Sequence, residues 1–315
     1  MSASPIAVVG ENLVDLLVSP TGEVQAVIGG GPLNVARTLG RLGAEVYFLS
    51  GVSADAFGGF VREALADSAV RLVLESPANQ PTTLAVVEMD PAGPRYHFHL
   101  ANTAAFSLDE AATRRSLDDL GALAAIYVGT LGLVVEPMAS MVETLVSRVA
   151  AETLVVLDPN CRPSAVTDHD AYHARVRRLS ARADFVKVST EDLDYLFPDV
   201  AALDGARRLS ELGASCVVVT DGAGPVRALV GGELIEVPVA PVSVADTVGA
   251  GDALVGGLLR WWTGHGLTRA QTRDARLVGQ ALAAAVDISR LTCERPGAQP
   301  PRREDVANLE GWRWL

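Results

Sequence analysis

Asp246-Thr-Val-Gly-Ala-Gly-Asp252 leads directly into an amphipathic stretch, Ala253 to Trp262, as expected of a glycine turn that opens a helix. The small residues Gly249, Ala250 and Gly251 let successive backbone N–H groups point into one concavity, and the helix adds partial positive charge at its N-terminus. We therefore predict a phosphate seat here. Asp252, in the first turn, is placed to accept a proton from an alcohol whose oxygen attacks a phosphoryl group in that seat. The alternative is a carboxylate that merely caps the helix.

A second glycine turn, Gly29-Gly-Gly-Pro-Leu-Asn34, enters another segment of helical character. Leu33, Ala36, Leu39 and Leu42 recur on one face, which predicts a helix that begins within the turn. Asn34 then lies in the first helical turn. Its amide can donate and accept at once, which suits the vicinal hydroxyls of a sugar, although a helix cap would use the same residue.

Short apolar runs rich in β-branched residues alternate with helix-length stretches along the whole chain. The runs predict strands at Ile6 to Val9, Val46 to Leu49, Ala125 to Val128, Leu154 to Leu157, Phe185 to Val188 and Cys216 to Thr220, and the intervening stretches include Glu136 to Ala151 and Ala171 to Ala183. This rhythm predicts an α/β fold with three layers, αβα, around a mainly parallel central sheet.

Two segments break that rhythm and read as hairpins. One is Leu13 to Ile28, with a turn at Pro20-Thr-Gly22, and the other is Pro81 to Leu100, with a turn at Asp90-Pro-Ala-Gly-Pro94. We expect them to form a small separate β layer from about residues 13–28 and 81–104. No linker, internal repeat or low-complexity tract divides the chain, so we expect one domain over residues 1–315.

The two glycine turns, together with four blocks between and after them, resemble the ribokinase/PfkB family of carbohydrate kinases. The blocks are Gly10-Glu-Asn-Leu-Val-Asp15, Asp158-Pro-Asn-Cys-Arg162, Lys187-Val-Ser-Thr-Glu-Asp192 and Arg295-Pro-Gly-Ala298. The resemblance covers nearly the whole chain and implies a ribokinase-like fold in which the hairpins are a lid over the sugar and can also join two subunits. It implies ATP and Mg²⁺ as cofactors, with K⁺ as a possible third.

The resemblance also assigns residues to the sugar. Asp15 is expected to clamp sugar hydroxyls together with Gly30, Gly31 and Asn34, although a turn aspartate would look the same. From the second hairpin, Arg95, Phe98 and Asn102 are expected at the sugar, with Tyr96 beside them; Phe98 is equally suited to the core of the lid. Arg162 offers a planar fork to the transferring phosphate or to the sugar, the alternative being a surface arginine in a turn.

The nucleotide side is carried over from the family in the same way. Ser189, Thr220, Gly222, Gly249, Gly251 and Ala298 are expected to bind the nucleotide, with the stretch Gln280 to Leu291 and the loop from Thr292 lining the adenine pocket. Where the family often has Asn-X-X-Glu, this chain has Ser189-Thr-Glu-Asp192, so Asp192 or Glu191 is expected to organise Mg²⁺ through water. Asp246 and nearby carbonyls are expected to hold a monovalent cation.

Composition excludes several other classes. The net charge of −12 disfavours nucleic acid as a partner, and no apolar run approaches the roughly 18 residues of a membrane span. The N-terminus lacks a basic region followed by an apolar stretch, so we expect a cytoplasmic protein. Lys187 is the single lysine, which excludes the Gly-Lys pair of a P-loop; it is expected to end a strand, with a role near phosphate as the alternative. The three cysteines show no metal-ligand spacing and read as reduced thiols.

We therefore expect an ATP-dependent sugar kinase that forms a homodimer through the lid, with Asp252 as the base and Gly249 to Gly251 as the anion hole. Gly10-Glu11 and the Asp158 block resemble the fructokinase and 2-keto-3-deoxygluconate kinase branches. Fructose is the first candidate substrate. 2-Keto-3-deoxygluconate is the main alternative because its carboxylate suits Arg95 or Arg162; other ketoses, pentoses and nucleosides stay open. A catalytically silent sugar sensor is a further alternative. A dinucleotide-dependent dehydrogenase is disfavoured, because the glycine turn that begins at Gly29 lacks Gly-X-Gly-X-X-Gly spacing.

Overall fold

The computed structural model describes residues 4–90 and 93–315. Within these residues the central sheet has nine strands. They are β1 (Ile6–Val9), β4 (Val46–Leu49), β5 (Val70–Leu72), β8 (Ala125–Gly129), β9 (Leu154–Asp158), β10 (Phe185–Ser189), β11 (Cys216–Thr220), β12 (Val226–Val230) and β13 (Glu233–Val237), in the spatial order β13-β12-β11-β10-β9-β8-β1-β4-β5. All six predicted strands are present.

The sheet is parallel from β5 to β11 and ends in two antiparallel strands that the sequence analysis missed. Gly231 and Gly232 form the two-residue turn between them, and both have positive φ, 57° and 92°. A Gly-Gly pair between two apolar runs is a hairpin signal, because a turn with two positive φ angles matches the twist of the strands. This Gly-Gly pair is the sequence pattern from which β12 and β13 could have been predicted.

Alternate residues of the parallel strands enter two separate hydrophobic cores. In β1, Ile6 and Val8 join one core, while Ala7 and Val9 join the other. Since successive side chains in a strand point to opposite faces, the sheet must be covered on both sides. The predicted three-layer αβα fold is therefore confirmed.

The helices divide between these two cores. Those on the first core are α1 (Gly31–Arg41), α2 (Ala56–Asp67), α8 (Ala250–Gly264) and α9 (Ala275–Cys293); those on the second are α3 (Glu110–Asp118), α4 (Met138–Arg148), α5 (His169–Ser180), α6 (Thr190–Leu196) and α7 (Ala202–Glu211). A short α10 (Arg303–Val306) precedes the C-terminal turn, in which Trp312 is buried. Among the described residues no helix is both long and apolar enough to cross a lipid bilayer.

The predicted hairpins form a second sheet of four strands, which we call the lid. The strands are β2 (Leu13–Val18), β3 (Val24–Gly29), β6 (Leu84–Asp90) and β7 (Gly93–His99), in the order β3-β2-β6-β7. Each hairpin is antiparallel, as predicted. The two hairpins are joined where β2 pairs with β6 in parallel. Pro91 and Ala92, in the predicted second turn, lie outside the described residues.

Candidate active site

A cavity of about 320 Å³ lies between the lid and the carboxyl ends of the central parallel strands. Ligands of open parallel sheets bind at this edge, and here the N-terminal residues of α1 and α8 complete the wall. Of the residues predicted from the sequence, the cavity is lined by Asp15, Gly30, Gly31, Asn34, Phe98, Arg162, Gly249, Gly251 and Asp252. Residues from both ends of the chain thus meet in one place.

Asp252 occupies the first turn of α8 and is 7% exposed. The preceding Gly249 has the left-handed φ of 77°, which a residue with a side chain rarely adopts. In the described part of the chain no side chain caps α8, so Asp252 does not act as its helix cap. Burial raises the pKa of Asp252, while the hydrogen bond from Asn34 and the charges of Lys187 and Arg162 hold it down. A buried carboxylate of raised pKa is suited to general base catalysis.

Asn34 contacts Asp252 directly. Its Nδ2 donates to Asp252 Oδ2 at 2.9 Å, across 218 positions of sequence. The cap of α1 is Gly30, without a side-chain hydrogen bond, so Asn34 does not cap the helix. Asn34 Oδ1 is buried and has no hydrogen-bond partner among the described residues, which leaves it free to accept from a ligand hydroxyl. Asn34 therefore orients the carboxylate and keeps one acceptor for the cavity.

The glycines of both turns are required by the space available. A Cβ on Gly31 would lie 2.7 Å from Thr130 Cγ2 and 3.3 Å from Asp252 Oδ1. A Cβ on Gly249 would lie 2.7 Å from the Cβ of Ala298. Side chains at these positions would fill the cavity or displace the turn. Glycine therefore keeps the backbone accessible to a ligand.

Asp15 and Arg162 face the same cavity with opposite charge. Burial raises the pKa of Asp15 to about 6, and the positive charge of Arg162 partly opposes this. The Nη1 atom of Arg162 donates to the carbonyls of Asn160 and Cys161 at 3.2 and 3.1 Å. Among the described residues no carboxylate forms a salt bridge with Arg162. Its guanidinium can therefore pair with an anionic group of a ligand.

Two of the predicted sugar residues do not line this cavity. Arg95 instead borders a neighbouring surface depression, which shares Tyr96 and Arg162 with this cavity. Asn102 lies in an exposed turn with φ 56°. The reason is local geometry: in β7 the side chains alternate, so Tyr96 and Phe98 face the cavity and Arg95 faces away. Asn102 follows the end of the strand and turns outward.

The sequence analysis gave no site role to Glu11 and named one for Lys187 only as the alternative, and both residues line this cavity. Glu11 accepts hydrogen bonds from the hydroxyl of Thr130 and, at 3.1 Å, from the backbone N–H of Gly132. Burial raises the pKa of Glu11 to about 7 despite these bonds. Lys187, buried in β10, also lines the cavity. Glu11 and Lys187 belong to the sequence blocks that resemble the family. A position near the end of a strand, however, does not show in which direction the side chain points.

A second cavity of about 520 Å³ adjoins the first across the start of α8. Its walls are largely apolar, with Val226, Val239, Leu254 and Val286 among them, which suits a planar heterocycle. It is lined by Thr220, Gly222 and Gly251, which were expected to bind the nucleotide, and by Ser289 and Cys293 of α9. Thr247 and Gly251 border both cavities, so the two spaces meet at the predicted phosphate seat.

Ser189 and Ala298 lie outside this second cavity. Ser189 caps α6, accepting from the backbone N–H of Asp192 at 3.0 Å. Ala298 packs against the Gly249 turn, and its carbonyl accepts from Arg37 at 3.1 Å. Neither residue lines the cavity of Asp252 or the apolar cavity beside it.

The predicted cation residues are engaged with the backbone. Asp192 accepts from the N–H groups of Ser189 and Cys161, and Asp246 accepts from those of Val248 and Gly297, at 3.0 and 2.9 Å. Glu191 is exposed. In residues 4–90 and 93–315 no group of three or more His, Cys, Asp or Glu is arranged to hold a metal ion. A magnesium ion here would have to draw most of its ligands from phosphate oxygens and water, as is usual for Mg²⁺.

Comparison with known proteins agrees with this geometry. The model for pfkB family carbohydrate kinases matches residues 6–305. A fructokinase from Rhizobium leguminosarum bv. trifolii is 34% identical over 311 residues, covering 96% of this chain and 93% of the relative. An ATP-bound fructokinase from Xylella fastidiosa has a TM-score of 0.83 at 26% identity, covering 94% of each chain. A fructokinase from Vibrio cholerae O395, in a form with bound fructose, ADP and calcium, has a TM-score of 0.79 at 25% identity, covering 95% of each chain. The chain is thus a sugar kinase and belongs to the pfkB family of carbohydrate kinases.

Proposed function

We propose that this protein transfers the γ-phosphoryl group of ATP to a hydroxyl of a small sugar, with fructose as the first candidate. The observation that carries the proposal is the position of Asp252. It lies in the lid-covered cavity, directly after Gly251, which borders both cavities. An acceptor hydroxyl in one cavity and a phosphoryl group entering from the other can therefore meet beside a buried base.

Asp252 would remove the proton of the attacking hydroxyl. Its Oδ2 is held by Asn34, and its Oδ1 faces the space that the absent side chain of Gly31 leaves open. The N–H groups at the start of α8 would stabilise the negative charge that develops on the phosphoryl oxygens, since they are aligned with the positive end of the helix dipole. Magnesium bound to the phosphates would neutralise further charge. The chain's own task is orientation and electrostatics, as is usual in phosphoryl transfer.

Fructose is favoured by the relatives and by the polarity of the cavity. Asp15 and the unpartnered Asn34 Oδ1 are acceptors, and Arg162 and the glycine backbone supply donors, a mixture that suits a neutral polyol. Tyr96 and Phe98, from the lid, offer aromatic surface, and their rings stack with centroids 5.9 Å apart. Closure of the lid over a sugar would exclude water, which otherwise competes as phosphoryl acceptor.

2-Keto-3-deoxygluconate is the second candidate, and one observation supports it. Arg162 reaches this cavity without a salt bridge to any carboxylate in the described part of the chain. A guanidinium of this kind can bind a substrate carboxylate with two parallel hydrogen bonds. Asp15, whose pKa burial raises to about 6, opposes a second anion in the same space. We therefore rank the neutral sugar first.

The test is an assay of ADP release from Mg-ATP with fructose, 2-keto-3-deoxygluconate, ribose, other ketoses and nucleosides. Turnover should be greatest with one sugar. Asp252→Asn should lower kcat by roughly two to four powers of ten while sugar affinity stays largely intact, because only proton removal and charge stabilisation are lost. An Asp252→Asn enzyme with nearly normal turnover would disprove the base assignment. Absence of turnover across the panel, with sugars still raising the melting temperature, would instead favour a sugar sensor.

Dimer formation through the lid and activation by a monovalent cation at Asp246 belong to the same proposal. The lid is a four-stranded sheet whose outer strands, β3 and β7, each pair on one side in the described residues. Light scattering after size exclusion measures the mass directly, and a monomer would contradict the dimer. Replacing K⁺ with a bulky organic cation in the assay tests the cation, since unchanged turnover would contradict its role.

A further inference from the structure

Lys187 occupies an unusual position for the single lysine of the chain. It is the third residue of β10, a strand inside the central sheet, and its side chain is 7% exposed. Lysine is almost never this buried without a partner, because removing an ammonium group from water is costly. Within residues 4–90 and 93–315 its one salt bridge, from Nζ to Asp158 Oδ1, is long at 3.4 Å.

The ammonium group of Lys187 lies beside the predicted phosphate seat. A Cβ on Gly251 would be 3.2 Å from Lys187 Nζ, so the side chain ends against the first turn of α8. Gly251 borders both cavities, and Lys187 itself lines the one that contains Asp252. The lysine therefore reaches the junction through which a phosphoryl group would pass.

Charge balance indicates what belongs at this junction. Burial alone lowers the pKa of Lys187, but the carboxylates of Asp158, Asp192 and Asp252 raise it by more, so the amine is protonated. The N-terminus of α8 is also positive, so this helix end and the ammonium can bind the same anion. An ammonium has three donors, and among the described residues Asp158 alone accepts from it. Donors remain for a ligand.

We propose that Lys187 is a further catalytic residue, whose ammonium donates to the transferring phosphoryl group together with the N–H groups at the start of α8. This inference rests on the proposed function, since it names a residue of the same site. The competing explanation is that Lys187 only neutralises Asp158. If Lys187 only neutralises Asp158, it should become dispensable once the carboxylate of Asp158 is removed. If it contacts the phosphoryl group, it should still be needed.

A double-mutant cycle separates these explanations. Lys187→Met keeps the length and apolar stem of the side chain, and Asp158→Asn keeps the shape of its partner. We expect Lys187→Met to lower kcat by roughly a hundred- to a thousandfold, as for loss of one donor to transition-state charge, with sugar affinity nearly unchanged. The double variant should stay as slow. Recovery of the double variant to within about tenfold of the parent enzyme would overturn the proposal, because pairing with Asp158 would then explain the loss.

A binding measurement on the unaltered protein guards against variants that fail to fold. Because the chain has one lysine, growth with ε-¹³C-lysine gives a single side-chain resonance for the whole protein. We expect the β,γ-methylene analogue of ATP to shift this resonance clearly more than ADP does, both with and without sugar. Equal shifts with the two nucleotides would overturn the contact with the terminal phosphoryl group.

The two experiments also distinguish failure of this inference from failure of the proposed function. If a sugar is phosphorylated and Lys187→Met keeps kcat within about threefold, the lysine assignment is wrong and the kinase activity stands. If no sugar is phosphorylated but the analogue alone shifts the lysine resonance, the phosphate contact stands and the proposed reaction is wrong.

Discussion

Replacing Asn34 with alanine removes the hydrogen bond that holds the predicted base. Asn34 Nδ2 donates to Asp252 Oδ2 at 2.9 Å, and both residues are buried. This bond favours the ionised carboxylate, so its loss raises the pKa of Asp252. A hydrogen bond to a charged group contributes about 1.5–3 kcal/mol, which corresponds to roughly one to two pKa units. Water that enters the vacated space would recover part of this, so we expect a rise of about one unit.

The assay is the pH dependence of kcat at saturating sugar and ATP. Because Asp252 must be ionised to accept a proton, activity falls as the pH drops through its pKa, and the acidic limb of the Asn34→Ala profile should move up by about one pH unit. At higher pH much of kcat should return. Thr38→Val is the matched control: its hydroxyl donates to the Asn34 carbonyl one turn along α1, away from Asp252, so its limb should stay in place. An Asn34→Ala enzyme with a lower plateau and an unmoved limb would refute the reasoning.

Three other substitutions test the site and the fold. Burial raises the pKa of Glu11 from its ordinary 4.5 to about 7, so the folded protein binds this proton more tightly than the unfolded chain and loses stability as the pH rises through that range. In urea titrations at pH 4.5 and 8, Glu11→Gln should abolish roughly 3 kcal/mol of this loss of unfolding free energy. The same pH dependence in the variant and the parent protein would contradict this. Gly31→Ala puts a methyl group 2.7 Å from Thr130 Cγ2 and should weaken sugar binding at least about tenfold by calorimetry. Gly59→Ala, where a Cβ meets nothing within 4 Å, should bind normally, and equal sugar affinity in the two variants would contradict the steric argument. Trp312→Ala should cost about 3–5 kcal/mol of unfolding free energy, since Trp312 is fully buried and donates to the Ala284 carbonyl at 3.0 Å; a loss below about 1 kcal/mol would contradict this.

The parts of the fold that were predicted correctly depend on short stretches of sequence. The six predicted strands match the observed ones to within one residue, because buried parallel strands read as continuous runs of β-branched residues. The strands missed were β5, with three residues, and the β12–β13 hairpin. β5 is too short for a periodic signal, and alternation in β13 is obscured because Glu233 shares a face with Ile235 and the buried Val237, while the apolar Leu234 is exposed beside Glu236 on the other face.

The sequence predicted only part of the site. Both glycine turns were recognised, because their conformation depends on small residues next to one another. In contrast, Arg95 and Asn102 were expected at the sugar and do not line the cavity, while Glu11 had no predicted role and Lys187 only an alternative one, and both line it. The direction of a side chain at a strand end depends on the pleat and on the neighbouring strands, which no local pattern specifies.

The sequence by itself determined the alternation of strands and helices, the two helix-opening glycine turns and the identity of Asp252 as the candidate base, since each depends on residues close together in the chain. The tertiary structure alone decided that Asn34 holds Asp252 from 218 positions away and that Lys187 ends against the turn at Gly251. The physical reason is that strand order and loop conformation bring distant residues together only when the whole core has formed, so the contacts that give the site its charge balance are properties of the folded chain.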